Sequence, residues 1–135
     1  MTQAVVTRGA RLLWATMALL ALACSSETAT SSHFDPRGEV FVSPRFTLEQ
    51  CEVVESALAA WSNATNGDVA FQVRIGEGYP RIVPAEVGER IMGEFVPSER
   101  PEIVLDTQKA LDATALRNLT LHELGHAIGL PHIPE

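Results

Sequence analysis

No apolar run in this 135-residue chain is long enough to cross a bilayer comfortably. The longest, residues 12–23 (LLWATMALLALA), falls short of the roughly 20 residues that a helical span needs. A basic stripe is also missing. Ten Lys and Arg are scattered among 17 Asp and Glu, giving a net charge of −7, and this excludes the electrostatic footprint of a nucleic-acid binder. Cysteine is scarce: Cys24 and Cys51 allow one disulfide at most, and neither has a partner at metal-ligand spacing. No segment repeats, which excludes a repeat array. The length allows one domain with a single modest core.

What is present at the start is patterned. Arg8 and Arg11 precede the apolar run, and together they have the layout of a secretory signal over residues 1–23. The run closes in Leu20-Ala21-Leu22-Ala23-Cys24. This junction resembles a bacterial lipobox, where the signal is cut before a cysteine that then receives lipid, although Ala21 stands where leucine is usual. Two outcomes stay open. A lipidated Cys24 makes the chain a cell-envelope lipoprotein, and a conventional cut near Ala23 makes it a secreted protein. In the first, Cys51 is a lone buried residue on a helix; in the second, a Cys24–Cys51 disulfide in an oxidising compartment is the alternative. Residues 25–32 (SSETATSS) are small and polar, so residues 24–38 read as a flexible tether with His33 exposed within it. The lipid anchor is the one membrane contact expected.

From residue 39 the pattern is that of a folded domain, residues 39–135. Val40-Phe41-Val42, closed by Ser43-Pro44, reads as a strand. Thr47 and Gln50 form a capping-box signature, and Leu48, Cys51, Val54, Leu58 and Trp61 recur at helical spacing over about 15 residues. Asn66-Gly67 stops that helix. Val69, Phe71, Val73 and Ile75 alternate as in a half-buried strand, and residues 81–85, 90–96 and 102–105 are further strands. Asp112 is a candidate N-cap for a second helix that carries Ala115, Leu116, Leu119, Leu121, Leu124 and Ile128 and ends at Gly129. Strand, helix, several strands, helix predicts an α/β (α+β) sandwich with one mixed sheet.

The second helix leads into His122-Glu123-Leu124-Gly125-His126-Ala127-Ile128-Gly129-Leu130-Pro131-His132. Helical positions four apart lie nearly above one another, so His122 and His126 form a two-point chelate for a metal that accepts imidazole nitrogen. Glu123 is offset around the helix, where its carboxylate can reach a metal-activated water without ligating the ion. Gly129 can take the left-handed conformation that turns the chain back, which brings His132 up as a third ligand. Three protein ligands leave the fourth position of a tetrahedral zinc open, the mark of a catalytic site. A random order of the same residues would contain the His-Glu-x-x-His core in roughly one chain in a hundred, and the added glycine and third histidine make it rarer by about a thousandfold. A solvent-facing polar stripe would leave both later residues unexplained.

This eleven-residue run resembles the H-E-x-x-H-x-x-G-x-x-H signature of the metzincin metallopeptidases, and its filling residues resemble the matrixin branch most. More loosely, Ala59-Ala60-Trp61 and Asp68-Val69-Ala70-Phe71 look like the end of the family's first helix and its second strand. Residues 91–96 and 102–106 look like the edge strand over the cleft and its neighbour. The resemblance implies a zincin-like N-terminal subdomain with a mainly parallel sheet and two long helices. It also implies one catalytic Zn2+ on His122, His126 and His132, and Glu123 as general base. The substrate implied is a protein or peptide lying extended along residues 91–96. Two departures are expected. Met1, Met17 and Met92 all precede His132, so the family's methionine turn and C-terminal subdomain are expected to be missing. The stretch after Cys24 leaves no room for an inhibitory prodomain. The competing reading is a non-catalytic zinc-binding or surface-displayed domain. A missing subdomain favours it, and Glu123 argues against it, because a structural site has no use for a base.

Overall fold

The computed structural model describes residues 32–132. The signal expected over residues 1–23, Cys24 and the tether up to residue 31 lie outside the described residues. Five strands and two helices follow: β1 (Glu39–Val42), α1 (Leu48–Ala64), β2 (Gln72–Ile75), β3 (Arg81–Pro84), β4 (Gly93–Val96), β5 (Glu102–Leu105) and α2 (Ala113–Ala127). The strands form one sheet in the order β2-β1-β3-β5-β4. Neighbours are parallel except β4, which runs antiparallel to β5 along the outer edge. The expected α/β architecture with a mixed, mainly parallel sheet is therefore present.

Helix α1 starts where the capping signature lies. Gln50 N–H donates to Thr47 Oγ1 at 3.2 Å and the Gln50 side chain accepts from Thr47 N–H at 2.9 Å, an arrangement worth about 1 kcal/mol. The apolar stripe of α1 places Val54, Ala57 and Leu58 in the core beside Val40, Val42, Ile82, Ile103 and Leu105. The two helices pack against each other, and α2 also lies against β4 and β5 through Leu116 and Leu124. Each fully buried leucine or isoleucine contributes roughly 1.5–3 kcal/mol of transfer free energy. Cys51 is buried on α1 as expected, with Sγ facing the Ser43 carbonyl at 4.0 Å. Burial, and then nearby Glu55, push its thiol above the ordinary value of 9.0, so it stays protonated and unreactive.

Three details differ from the periodicity. The alternation at Val69, Phe71, Val73 and Ile75 predicts a half-buried strand, but β2 is shorter and exposed at every position. Val69 is buried ahead of it, whereas Val73 and Ile75 stand on the outermost strand, where Val73 only borders a shallow hollow against α1 and Ile75 is 53% exposed. The strand expected from residue 90 begins only at Gly93, because the residues before it are drawn toward Lys109 instead of a neighbouring strand. The packed unit also reaches back past Glu39. Phe34 is 2% exposed, meets Phe95 edge-on, and its N–H donates to Ala127 O at 2.8 Å, which ties the incoming chain to the end of α2.

Asp106, just after β5, is the buried polar centre of this side of the molecule. Its carboxylate accepts from the backbone N–H groups of Val87 (3.3 Å), Gln108 (3.1 Å) and Lys109 (3.3 Å), and the Lys109 ammonium stands 3.4 Å away. Burial works to raise its pKa, and these donors outweigh burial and hold it below the ordinary 3.8. A depressed carboxyl stabilises the fold fully above the unfolded value and loses that contribution as pH falls through the lower folded value. Asp106→Asn is therefore expected to be less stable than wild type at neutral pH, with the gap closing below pH 3.8. Urea midpoints of both proteins across that range check this; a gap independent of pH would mean that the carboxylate charge plays no part.

Candidate metal centre

Helix α2 is built to carry the two paired histidines without movement. Asp112 caps its start, accepting from Ala115 N–H at 2.7 Å. Behind His122, the Trp61 indole N–H of α1 donates to Leu121 O at 3.2 Å. The same indole ring leaves contact space for no more than glycine or a methyl at Gly125: a Cβ there would lie 3.5 Å from it. Thus α1 backs the histidine-bearing segment of α2.

The end of α2 does two jobs. Gly129 has φ 101°, its N–H donates to His126 O at 2.9 Å, and Leu130 N–H donates to Gly125 O at 2.9 Å. These two bonds make a Schellman termination, which glycine adopts without strain. The turn sends Pro131 and His132 back over the helix, so that the His132 ring lies 4.2 Å from that of His126 and 5.4 Å from that of His122, centroid to centroid. It also presents Leu130 O to His126 Nδ1 at 2.7 Å. With its proton on Nδ1 donated to that carbonyl, His126 keeps Nε2 free for a metal, the arrangement metal-ligating histidines commonly show.

His122 Nε2 and His126 Nε2 are 3.1 Å apart, and the three histidines offer nitrogens that all lie within 4.8 Å of one another. Two ligands on one tetrahedral zinc, at bonds of 2.0–2.1 Å, are separated by about 3.3 Å. The His122–His126 separation is close to that value, His132 offers its nitrogen within 4.8 Å, and imidazole is a donor that zinc accepts. Among the described residues no other group of three metal-ligating side chains converges in this way. No family model, no curated protein and no solved structure matches this chain. The case for the site therefore stands on its own geometry and chemistry.

The histidines line a cleft of about 730 Å³ between α2 and the outer strand β4. Glu123 faces it from α2 and is only 6% exposed, and among the described residues no ion pair involves it. A carboxylate held next to the ligand pair, with no Lys or Arg against it, is available for proton transfer. Ile91, Met92, Phe95, Leu119 and Leu130 supply apolar wall. Gly93 sets how closely β4 approaches α2: a Cβ there would come within 3.0 Å of Leu119 Cδ1 and 3.1 Å of Val104 O. All four residues singled out from the motif are thus brought to one cleft. Missed in the sequence were Trp61 and Leu130 as supports, and His33. That fourth histidine is exposed as expected, but it stands on the cleft wall with its ring 5.6 Å from that of Phe95. No spacing relation links Trp61 or His33 to the motif; Leu130 lies within it, but the sequence does not show that its main-chain carbonyl meets His126.

Proposed function

We propose that the chain is a zinc-dependent endopeptidase of the metzincin type, with His122, His126 and His132 as metal ligands and Glu123 as general base. The observation that carries this is the convergence of three imidazoles beside a buried, cleft-facing carboxylate that has no ion-pair partner among the described residues. When bound, zinc supplies Lewis-acid polarisation of a carbonyl and lowers the pKa of water toward neutrality. Glu123 takes the proton from the attacking water and hands it to the departing amide nitrogen, so one proton is conserved as the C–N bond breaks. His126 is held against rotation by Leu130 O. The outward edge of β4 borders the cleft and offers main-chain groups to an extended peptide, with Ile91, Met92 and Phe95 as apolar contacts. Purified full-length chain, mixed with an unstructured peptide library and read by mass spectrometry, should cleave only with zinc present. Chelator should stop cleavage and added zinc restore it. Zinc bound at one ion per chain with no peptide cut would leave a non-catalytic metal-binding domain.

The same reading includes export with Cys24 lipidated, supported by Arg8, Arg11, the apolar run and the Leu20-to-Cys24 junction. Among the described residues no helix is long and apolar enough to cross a membrane. The intact mass of the mature protein should correspond to a chain starting at Cys24 with acyl groups attached. A start beyond Cys24, or an unmodified cysteine, rejects the anchor.

A further inference from the structure

Away from the histidines, one cation is held the way a hard metal ion is held. The Lys109 ammonium, on the connection from β5 to α2, donates to three main-chain carbonyls: Val87 O at 3.0 Å, Gly88 O at 2.7 Å and Ile91 O at 2.9 Å. Three N–H donors meet three acceptors, which fills the capacity of the group. Buried Asp106 supplies the balancing charge at 3.4 Å. Asp106 grips the same stretch itself: its carboxylate takes Val87 N–H at 3.3 Å and its own N–H donates to Met92 O at 2.8 Å. An oxygen cage of carbonyls around one positive charge is what a calcium site offers.

The caged stretch needs such a clamp. It connects β3 to β4, and apolar burial does not fix it, since Ile91 and Met92 are 45% and 41% exposed. Apart from these contacts its main-chain bonds among the described residues are Ala85 N–H to Leu105 O at 3.1 Å, where it leaves the sheet, and the turn bond Ile91 N–H to Gly88 O at 3.0 Å. Yet residues 90–93 form the rim of the cleft opposite the histidine helix. We propose that Lys109 is a positioning residue for that cleft: its ammonium gathers the β3–β4 connection and sets where Ile91 and Met92 stand on the rim. The proposal rests on reading the cleft as a peptide site. Because this cation is covalently part of the chain, a chelator that strips zinc leaves the rim in place.

The test is hydrogen exchange on the full chain carrying Lys109→Met, with Lys109→Arg beside it. Methionine keeps the unbranched stem and removes the charge and donors. Exchange over residues 86–92 should quicken about tenfold or more in Lys109→Met while β1 and β3 keep wild-type rates, since the clamp opens locally. Lys109→Arg should recover part of the protection, and chelator should change nothing in wild type over these residues. In the zinc-loaded protein, KM for a peptide should rise about tenfold with kcat within about threefold, the signature of lost substrate positioning, and bound zinc should be unchanged. Wild-type exchange over residues 86–92 in Lys109→Met overturns the proposal. Quickening spread evenly over the whole sheet also overturns it, because Lys109 would then be a general stabiliser, as does a loosened rim with KM unmoved. Should wild type cleave no peptide, the hydrolase reading fails alone, and the exchange rates still decide whether Lys109 holds the rim.

Discussion

Glu123→Ala is expected to keep one zinc per chain and to lower peptide hydrolysis by about two to four powers of ten. Each factor of ten is about 1.4 kcal/mol of barrier, so the carboxylate is being asked for about 3–5 kcal/mol. The separation of the two readouts follows from where the residue sits. Its neighbours His122 and His126 are oriented by the helix and by Leu130 O, not by Glu123, so removing the carboxylate leaves the ligands in place. Glu123→Gln keeps the size and hydrogen-bonding oxygen but cannot take a proton, and should be as inactive as the alanine variant. Zinc measured by mass spectrometry alongside initial rates decides the matter. Metal lost together with activity would make Glu123 a structural residue.

The second large effect belongs to the ligands. His126→Ala should weaken zinc binding by more than the roughly 10–100-fold that loss of an outer hydrogen-bond partner costs, and cleavage should vanish with the metal. His126 occupies the middle of the cluster, with its Nε2 3.1 Å from that of His122 and its ring 4.2 Å from that of His132. Its removal leaves two imidazoles from opposite sides of the turn. His33→Ala is the matched control. His33 lies on the same cleft wall but outside the three-nitrogen group, so zinc affinity should be unchanged. Competition titration against a chromophoric chelator gives both affinities. An equal loss in His33→Ala would place the metal elsewhere in the cleft.

The convergence of the three histidines was legible in the sequence because each of its parts is local. Helical spacing pairs His122 with His126, and one glycine licenses the turn that returns His132; the observed φ of 101° at Gly129 is that turn. Helix starts were equally legible, since Thr47 with Gln50 and Asp112 act within three residues of themselves. What could not be read is what depends on contacts between distant segments. Val73 and Ile75 carry a half-buried-strand pattern but stand on an edge strand, and only the strand order tells the difference. Phe34 looks like part of a polar tether until it meets Phe95 and the last turn of α2. Lys109 and Asp106 are ordinary loop charges in the sequence; these partners lie 18–22 positions earlier, and main-chain groups leave no trace in side-chain identity.

In the proposed centre, three imidazoles of this chain hold one zinc and leave one position open. X-ray absorption at the zinc edge, on the full-length chain loaded with one equivalent, tests it most directly. The expected result is three imidazoles in one shell at about 2.0–2.1 Å and one further light atom that is not from histidine and is displaced by a small hydroxamate. Two imidazoles only, a sulfur shell from cysteine, or a fourth protein ligand that hydroxamate cannot displace would contradict it.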